Sequence, residues 1–381
     1  RPTDVKPGMV YYNKDFKTIE FWDGNFWKQV DYTTRRGRAI IAGGYDIISP
    51  AGAYKDIETL DLSSGGNTTN FGSLASTGNA MSAMSNSTRM LMVLSDGASI
   101  EYVTIASEGN PIDFGDMHTM MYRIGGEGAS STRGLLLGGR GAPGSGIKNI
   151  QYVEMGTLGN MLDFGDLNTN GRGQSSGGAS PIRAFATSFT TYGSKVEMVT
   201  IASTGNAIDF GNLVQGARYM AAATNGTRGL VTGGAQPGYT TMITSFNIST
   251  TGNAVDTGGE YAGSEALPLK VYSPIRMILI SGKVSSTTQN TMHHINITSQ
   301  GDTTEFGEMS VRGTGPAASN NVRGIFGGWN GNARVGMRAI TIASLGVSSE
   351  FGDSTVNRSG TGEGNSCSQT RAIFMGGAVS P

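Results

Sequence analysis

Residues 199–234 read VTIASTGNAIDFGNLVQGARYMAAATNGTRGLVTGG, the clearest copy of a unit that recurs along the whole chain. With the register set on the glycine of its STGN turn, Gly205, the same position returns at Gly66, Gly109, Gly159, Gly252, Gly301 and Gly346. Successive glycines are roughly 43 to 50 residues apart, a period that belongs to repeat architectures. Each is preceded by two apolar residues at alternate positions: Leu60/Leu62, Val103/Ile105, Val153/Met155, Val199/Ile201, Phe246/Ile248, Ile295/Ile297 and Ile340/Ile342. A period of two is that of a half-buried strand. Four residues after the glycine stands an acid in six copies: Asp113, Asp163, Asp209, Asp256, Glu305 and Glu350, with Asn70 in the first. Phe follows in all but the Thr257 copy, and then glycine.

A second marker runs alongside. Arg38, Arg89, Arg133, Arg183, Arg228, Arg276, Arg323 and Arg371 each open a short apolar run that usually ends in glycines. Met90 to Leu94 and Met277 to Ile280 are apolar without alternation, which suits a strand covered on both faces. Strands and tight turns at this period, without a helical period, predict an all-β, seven-bladed β-propeller with four-stranded antiparallel blades over residues 36–381. In the quoted unit the strands are expected at Val196 to Ala202, Ala207 to Leu213, Tyr219 to Thr224 and Arg228 to Thr232. Asn225-Gly226 is a favoured two-residue hairpin turn. There are eight arginine strands and seven STGN units, so Arg371 to Gly377 is expected to close the ring against Arg38 to Gly44 and remove the exposed edges.

Glycine makes up 59 of 381 residues, about twice the usual ~7%. The excess falls at turn positions of the long period, so it is turn chemistry rather than disorder or collagen. A net charge of −1 and the lack of a basic stripe argue against a nucleic-acid partner. Cys367 is the single cysteine, which excludes an intramolecular disulfide framework and a cysteine-rich zinc site. No run approaches the ~18 apolar residues that span a bilayer, so a soluble protein without membrane insertion is expected. The opening RPTDVKPG is not a signal peptide, and a first residue other than Met reads as a processed chain or part of a longer one.

Residues 1–35 fall outside the repeat. GMVYYNKDFKTIEFWDGNFWKQVD reads as short aromatic-rich strands, a β-hairpin segment turning at Asn13-Lys14-Asp15 and Asp23-Gly24-Asn25. So short a piece cannot bury Trp22, Trp27 and their aromatic neighbours alone; it must pack on the propeller or on another chain.

In an antiparallel meander alternate turns share a face. The short STGN-type and Asn-Gly-type turns lie on one face. The long connectors lie on the other, among them Tyr45 to Asp56, Arg140 to Asn149, Asn168 to Ser180, Ala235 to Thr241, Lys283 to Asn290 and Trp329 to Gly336. Loop variation on a rigid scaffold is where binding sits. Tyr45, Tyr54, Arg140, Tyr239, Trp329 and Asn330 are the candidate contacts there, since aromatic faces and amides suit sugars. The repeat arginines Arg38, Arg133, Arg228 and Arg323 and the repeat acids Asp113, Asp163 and Asp209 are expected to pair as internal braces, because ring-wide repetition marks packing.

Other chemistry is thin. The DFG triplet of protein kinases recurs here without a catalytic loop or strand lysine, and is structural. Gly139 to Gly144 satisfies GxGxxG, but no helix follows to receive a pyrophosphate. Of the three histidines, His293 and His294 are adjacent in a predicted strand and point to opposite faces, so they cannot share one ion. No metal, cofactor or catalytic residue is expected.

Copies such as TRGLVTGG, VEMVTIASTGNAIDFGNL and IEYVTIASEGNPIDFGDM resemble the kelch-like propeller repeats of structural and tail-fibre-type proteins of marine bacteriophages, especially those infecting cyanobacteria. The opening MVYYNKDFKTIEFWDGNFWKQV is similar to a hairpin common in phage tail-fibre and other virion proteins. Together these cover nearly the whole chain. Arg183, Arg89 and Asp256-Thr257-Gly258 depart from the repeat locally. The resemblance implies a non-enzymatic virion component on tail or capsid, a homo-oligomer there in one arrangement. It would be held to other virion proteins by the N-terminal segment and would contact a host-surface glycan or protein. A glycan-active enzyme on the same scaffold, and a cellular kelch-type scaffold for a protein partner, are the alternatives. Some kelch-type propellers are copper oxidases with a cysteine crosslinked to tyrosine; Cys367 is available for that, but the histidine set is not recognisable.

Overall fold

The computed structural model describes the chain apart from residues 1, 3, 14–17, 23, 25–26, 30–37, 44, 47–51, 63–65, 78–81, 95–96, 122–123, 125, 142–144, 172–175, 188–191, 219, 237, 261–268, 281–282, 285–286, 289, 310–316, 328–335, 356–364, 369–370 and 376–381. Blade 4 shows how the sequence builds a blade. Its strands Ser176–Ala179, Arg183–Thr187, Lys195–Thr200 and Ile208–Asn212 run antiparallel from the axis outward. The second strand is buried from Ala184 to Thr187, as its unbroken apolar run demands; the outer strand buries Phe210 between exposed Asp209 and half-exposed Gly211. The turn into the arginine strands of blades 2 to 7 is tied by one side-chain oxygen. Asn86, Ser180, Asn225 and Asn320 accept the arginine's own backbone N–H at 2.9, 2.9, 2.8 and 2.6 Å. Such local bonds fix hairpin register before any long-range contact forms.

Seven blades stand in a ring, a seven-bladed β-propeller. Blades 2 to 7 are four-stranded, beginning at Ser82, Glu127, Ser176, Ala221, Leu269 and Ala317. The unit that is most legible in sequence straddles a blade boundary: Lys195–Thr200 and Ile208–Asn212 end blade 4, and Ala221–Thr224 and Arg228–Thr232 open blade 5. Blade 1 closes the ring with five strands: Asn365–Ser368, Arg371–Met375, Arg38–Ala42, Asp56–Asp61 and Thr69–Ser73. Arg371–Met375 pairs with Arg38–Ala42 in parallel, Ala372 opposite Ala39, which departs from an antiparallel order throughout. Two arginine strands meet at the closure, one from each end of the chain, and both enter from the same face.

The core lies in the seams between blades. Leu135 and Leu137 of blade 3 pack with Ala184, Val199 and Ile201 of blade 4. Ala39 and Ile41 of blade 1 pack with Ala318, Ile325 and Met337 of blade 7. At the rim, the two repeat motifs lock neighbouring blades together. The STGN-position glycine donates its N–H to the carbonyl before the outer-strand glycine of the preceding blade in all seven seams: Gly109 to Phe71, Gly159 to Phe114, Gly205 to Phe164, Gly252 to Phe210, Gly301 to Thr257, Gly346 to Phe306 and Gly66 to Phe351, at 2.7–3.0 Å. The following asparagine adds a bond: Oδ1 of Asn110, Asn160, Asn206, Asn253 and Asn67 accepts a backbone N–H of that preceding blade at 2.9–3.0 Å. Glycine is required on both sides of the seam. At Gly165 a Cβ would stand 2.5 Å from Gly205 O, and Gly205 itself has a φ of +151°.

Three of the long connectors carry paired short strands: Tyr45–Asp46 with Gly52–Ala53, Ala235–Gln236 with Gly238–Tyr239, and Lys283–Val284 with Thr287–Thr288. In blade 3 the second and third strands lengthen to Arg133–Arg140 and Gly146–Glu154, which shortens the connector read from Arg140 to Asn149. Residues 10–29 form a separate three-stranded sheet, Val10–Asn13, Thr18–Trp22 and Trp27–Gln29, one strand more than a hairpin.

Candidate functional site

The connector-face candidates are spread over separate blades. Tyr45 lies on the blade 1 hairpin opposite Ala53, with half-buried Tyr54 just beyond it. Arg140 is exposed at the end of its strand in blade 3, opposite Gly146. Tyr239 pairs with Ala235 in blade 5. Trp329 and Asn330 lie outside the described residues. The GxGxxG run begins in the strand Arg133–Arg140, and Gly141 N donates to Ser145 O at 2.8 Å, so it is a hairpin turn. In the N-terminal sheet Trp22 is half-buried and stands opposite Trp27.

The repeat arginines reach across seams, and their main partners are carbonyls rather than the repeat acids. Nη1 of Arg89, Arg133, Arg183, Arg276 and Arg323 donates to the carbonyl of Met155, Ile201, Ile248, Ile342 and Leu62 in the next blade, at 2.7–3.0 Å. Arg133 also donates from Nε to Glu154 at 2.8 Å, and its guanidinium sits 4.4 Å from the Tyr152 ring centre. Among the acids, Asp113 accepts from its own turn at Gly115 N, Asp163 from Asn149 Nδ2 and Asp209 from Lys195 Nζ. The predicted arginine–acid pairing fails for Arg133 and these three acids on geometry. The arginine opens the second strand and the acid sits on the fourth, two strand spacings or about 10 Å away. Of Arg38, the strand position alone is described.

A position the sequence reading passed over carries buried polar groups. On the strand next to the outermost in blades 1 to 4, Glu58, Glu101, Gln151 and Glu197 are buried and bind the preceding blade on or just past its outer strand. Glu58 accepts from Ser354 Oγ and Thr355 N, Glu101 from Ala75 N at 3.1 Å, and Glu197 from Asn168 N at 2.6 Å. Gln151 both accepts from Thr119 N and donates to Thr119 O. Burial pushes the Glu101 carboxyl up from its usual range, and Asp113 adds to this. In blade 6 the same position is His293, buried, with His294 on the other side of the strand; burial lowers both imidazole pKa values. The signal was available: a polar residue recurs eight positions before each STGN-type glycine, inside an otherwise apolar strand.

A cavity of about 540 Å³ opens on the tight-turn face across blade 5. Arg228, Ser245, Asn225, Asn247 and Asn253 supply its polar lining, with Phe246 and Val255 among the apolar walls. Here Arg228 Nη2 donates to Ser245 Oγ at 2.7 Å. Among the described residues no group of three or more His, Cys, Asp or Glu side chains is placed to hold a metal ion.

Comparison with models of known protein families and with curated proteins finds no match. Among solved structures, that of YjhT matches with a TM-score of 0.54 and 10% sequence identity, over 70% of this chain and 96% of that one. At that identity the likeness concerns the fold alone.

Proposed function

We propose that this chain is a non-enzymatic structural protein of a phage particle, whose propeller contacts the host surface and whose N-terminal sheet holds it to other virion proteins. The observation that carries the reading is the division of the ring. The tight turns of the rim are bound up in the seam bonds repeated seven times, which leaves the connectors of the opposite face free to differ in length and sequence. A surface that varies on a locked scaffold is suited to recognition. One further feature supports the anchor: Met9, just before the first strand, and Val10 and Tyr12 within it are exposed, and an apolar edge of this kind is one a neighbour would bury. The resemblance of the repeats to tail-fibre-type phage proteins supplies the biological setting.

The test is to locate the chain in a particle reconstruction and to measure saturable binding of the isolated propeller to host cells. Deleting residues 9–28 is expected to leave a folded propeller that no longer joins the particle. Shortening the connector at 235–241 is expected to spare assembly and weaken attachment. Assembly without residues 9–28, or release of sugar from host glycans by the purified chain, would overturn the reading.

A further inference from the structure

We infer that the cavity across blade 5 is a binding site for a saccharide ring that carries a carboxylate. This goes beyond the particle role, since the site lies on the face opposite the connectors and does not depend on what they bind. Its origin is a gap in the repeat. In blades 2 and 3 a tyrosine ring stacks on the repeat arginine, Tyr102 at 4.8 Å from Arg89 and Tyr152 at 4.4 Å from Arg133. The same strand position in blade 5 is the small, buried Ser245, and the Arg228 guanidinium lies against its hydroxyl at 2.7 Å, so the cavity opens beside the two of them.

The seam bonds are also missing there. In blade 2, Asn86 Nδ2 and Arg89 Nη1 donate across to Ser131 O and Met155 O of blade 3, each at 3.0 Å. Asn225 and Arg228 hold those positions in blade 5 and make no such bond among the described residues, so their spare N–H groups are left for a ligand. Asn225, Asn247 and Asn253 are held rigid through Oδ1, which accepts from Arg228 N, Ser249 N and Asn212 N at 2.8–3.0 Å; this leaves each Nδ2 to donate.

Among the described residues of the lining Arg228 is the one that is charged, which suits a monoanion, and a guanidinium meets a carboxylate through two parallel bonds. Threonine hydroxyls at Thr250 and Thr251 join the amides around the rim, and Phe246 and Val255 give the C–H face of a sugar something to rest on. The volume lies within the ~300–1,000 Å³ usual for small-ligand pockets.

The full chain should be titrated with glucuronic acid and with glucose by calorimetry and saturation-transfer NMR. Glucuronate is expected to bind at least about tenfold more tightly than glucose, and Arg228→Gln to remove that preference. Ser245→Tyr is expected to abolish binding of both sugars, since the new ring takes the place of the Arg228 guanidinium and lifts it into the cavity, as Tyr102 and Tyr152 carry their arginines. Equal affinity for the two sugars, no glucuronate binding at about 10 mM, or undiminished binding by Ser245→Tyr would each overturn the assignment.

Discussion

Gly165 and Gly205 face each other across the seam between blades 3 and 4, and substituting each with alanine separates the two reasons for glycine there. At Gly205 an added Cβ has nothing within 4 Å, so the cost is the backbone alone, at a φ of +151°. Strain of that kind is of order 1–3 kcal/mol. At Gly165 the φ is +142°, and the Cβ would also lie 2.5 Å from Gly205 O and 2.6 Å from Gly205 C. Backbone cannot step aside as a side chain does, and overpacking adds a further ~1–3 kcal/mol. It also pries at the Gly205 N to Phe164 O bond of 2.7 Å. Gly165→Ala should therefore cost about 2–6 kcal/mol and Gly205→Ala about 1–3. For a ring of about 350 residues the unfolding entropy scales to roughly 0.7 kcal/mol per degree, so the expected falls in melting temperature are ~3–9 °C and ~1–4 °C. Differential scanning calorimetry of the purified chain reads both. If Gly205→Ala is as damaging as Gly165→Ala, or if neither moves the transition, the rim lock does not hold the blades together as argued.

Arg133→Met should cost about 1–3 kcal/mol, because it removes the bond to Ile201 O, the Glu154 pair and the Tyr152 stacking, whereas Arg228→Met, with its bond to Ser245, should cost less; thermal melts showing the reverse order would contradict the bracing described here. Asn206→Ala deletes one exposed bond, to Asp166 N, and is expected to lose only ~0.5–1.5 kcal/mol in the same assay. Glu101 has a pH signature. Its folded pKa is raised above the unfolded value of 4.5, so its contribution is most favourable below pH 4.5 and is lost as pH rises through the folded pKa. Glu101→Gln keeps an acceptor for Ala75 N without the buried charge; melts should show it at least as stable as the parent at pH 7, with any advantage gone at pH 4, and a less stable variant at pH 7 would show that the charge itself is favourable.

The repeat period, the strands and the tight turns are written in local sequence. Alternation at Val199/Ile201 and the apolar run at Met277 to Ile280 report burial within a few residues, and Asn225 ties its turn to Arg228, three positions away. Seven registers agreeing were enough for the blade count. What the sequence could not say is which repeat faces which, because that depends on ring closure. The DFG and STGN motifs look like neighbours in one unit, yet each serves the adjoining blade, and the bond from Gly66 to Phe351 joins opposite ends of the chain. The arginines recur as regularly as the acids, but strand spacing puts the acids of Arg133 and its neighbours out of reach and the next blade's carbonyls within it. Blade 1 takes a fifth, parallel strand because both termini bring an arginine strand to the same edge. Ser245 reads in sequence as one more variable position; only the tertiary structure shows that Arg228 turns onto its hydroxyl there, where Arg89 and Arg133 lie over tyrosine rings, and that a cavity opens beside the pair.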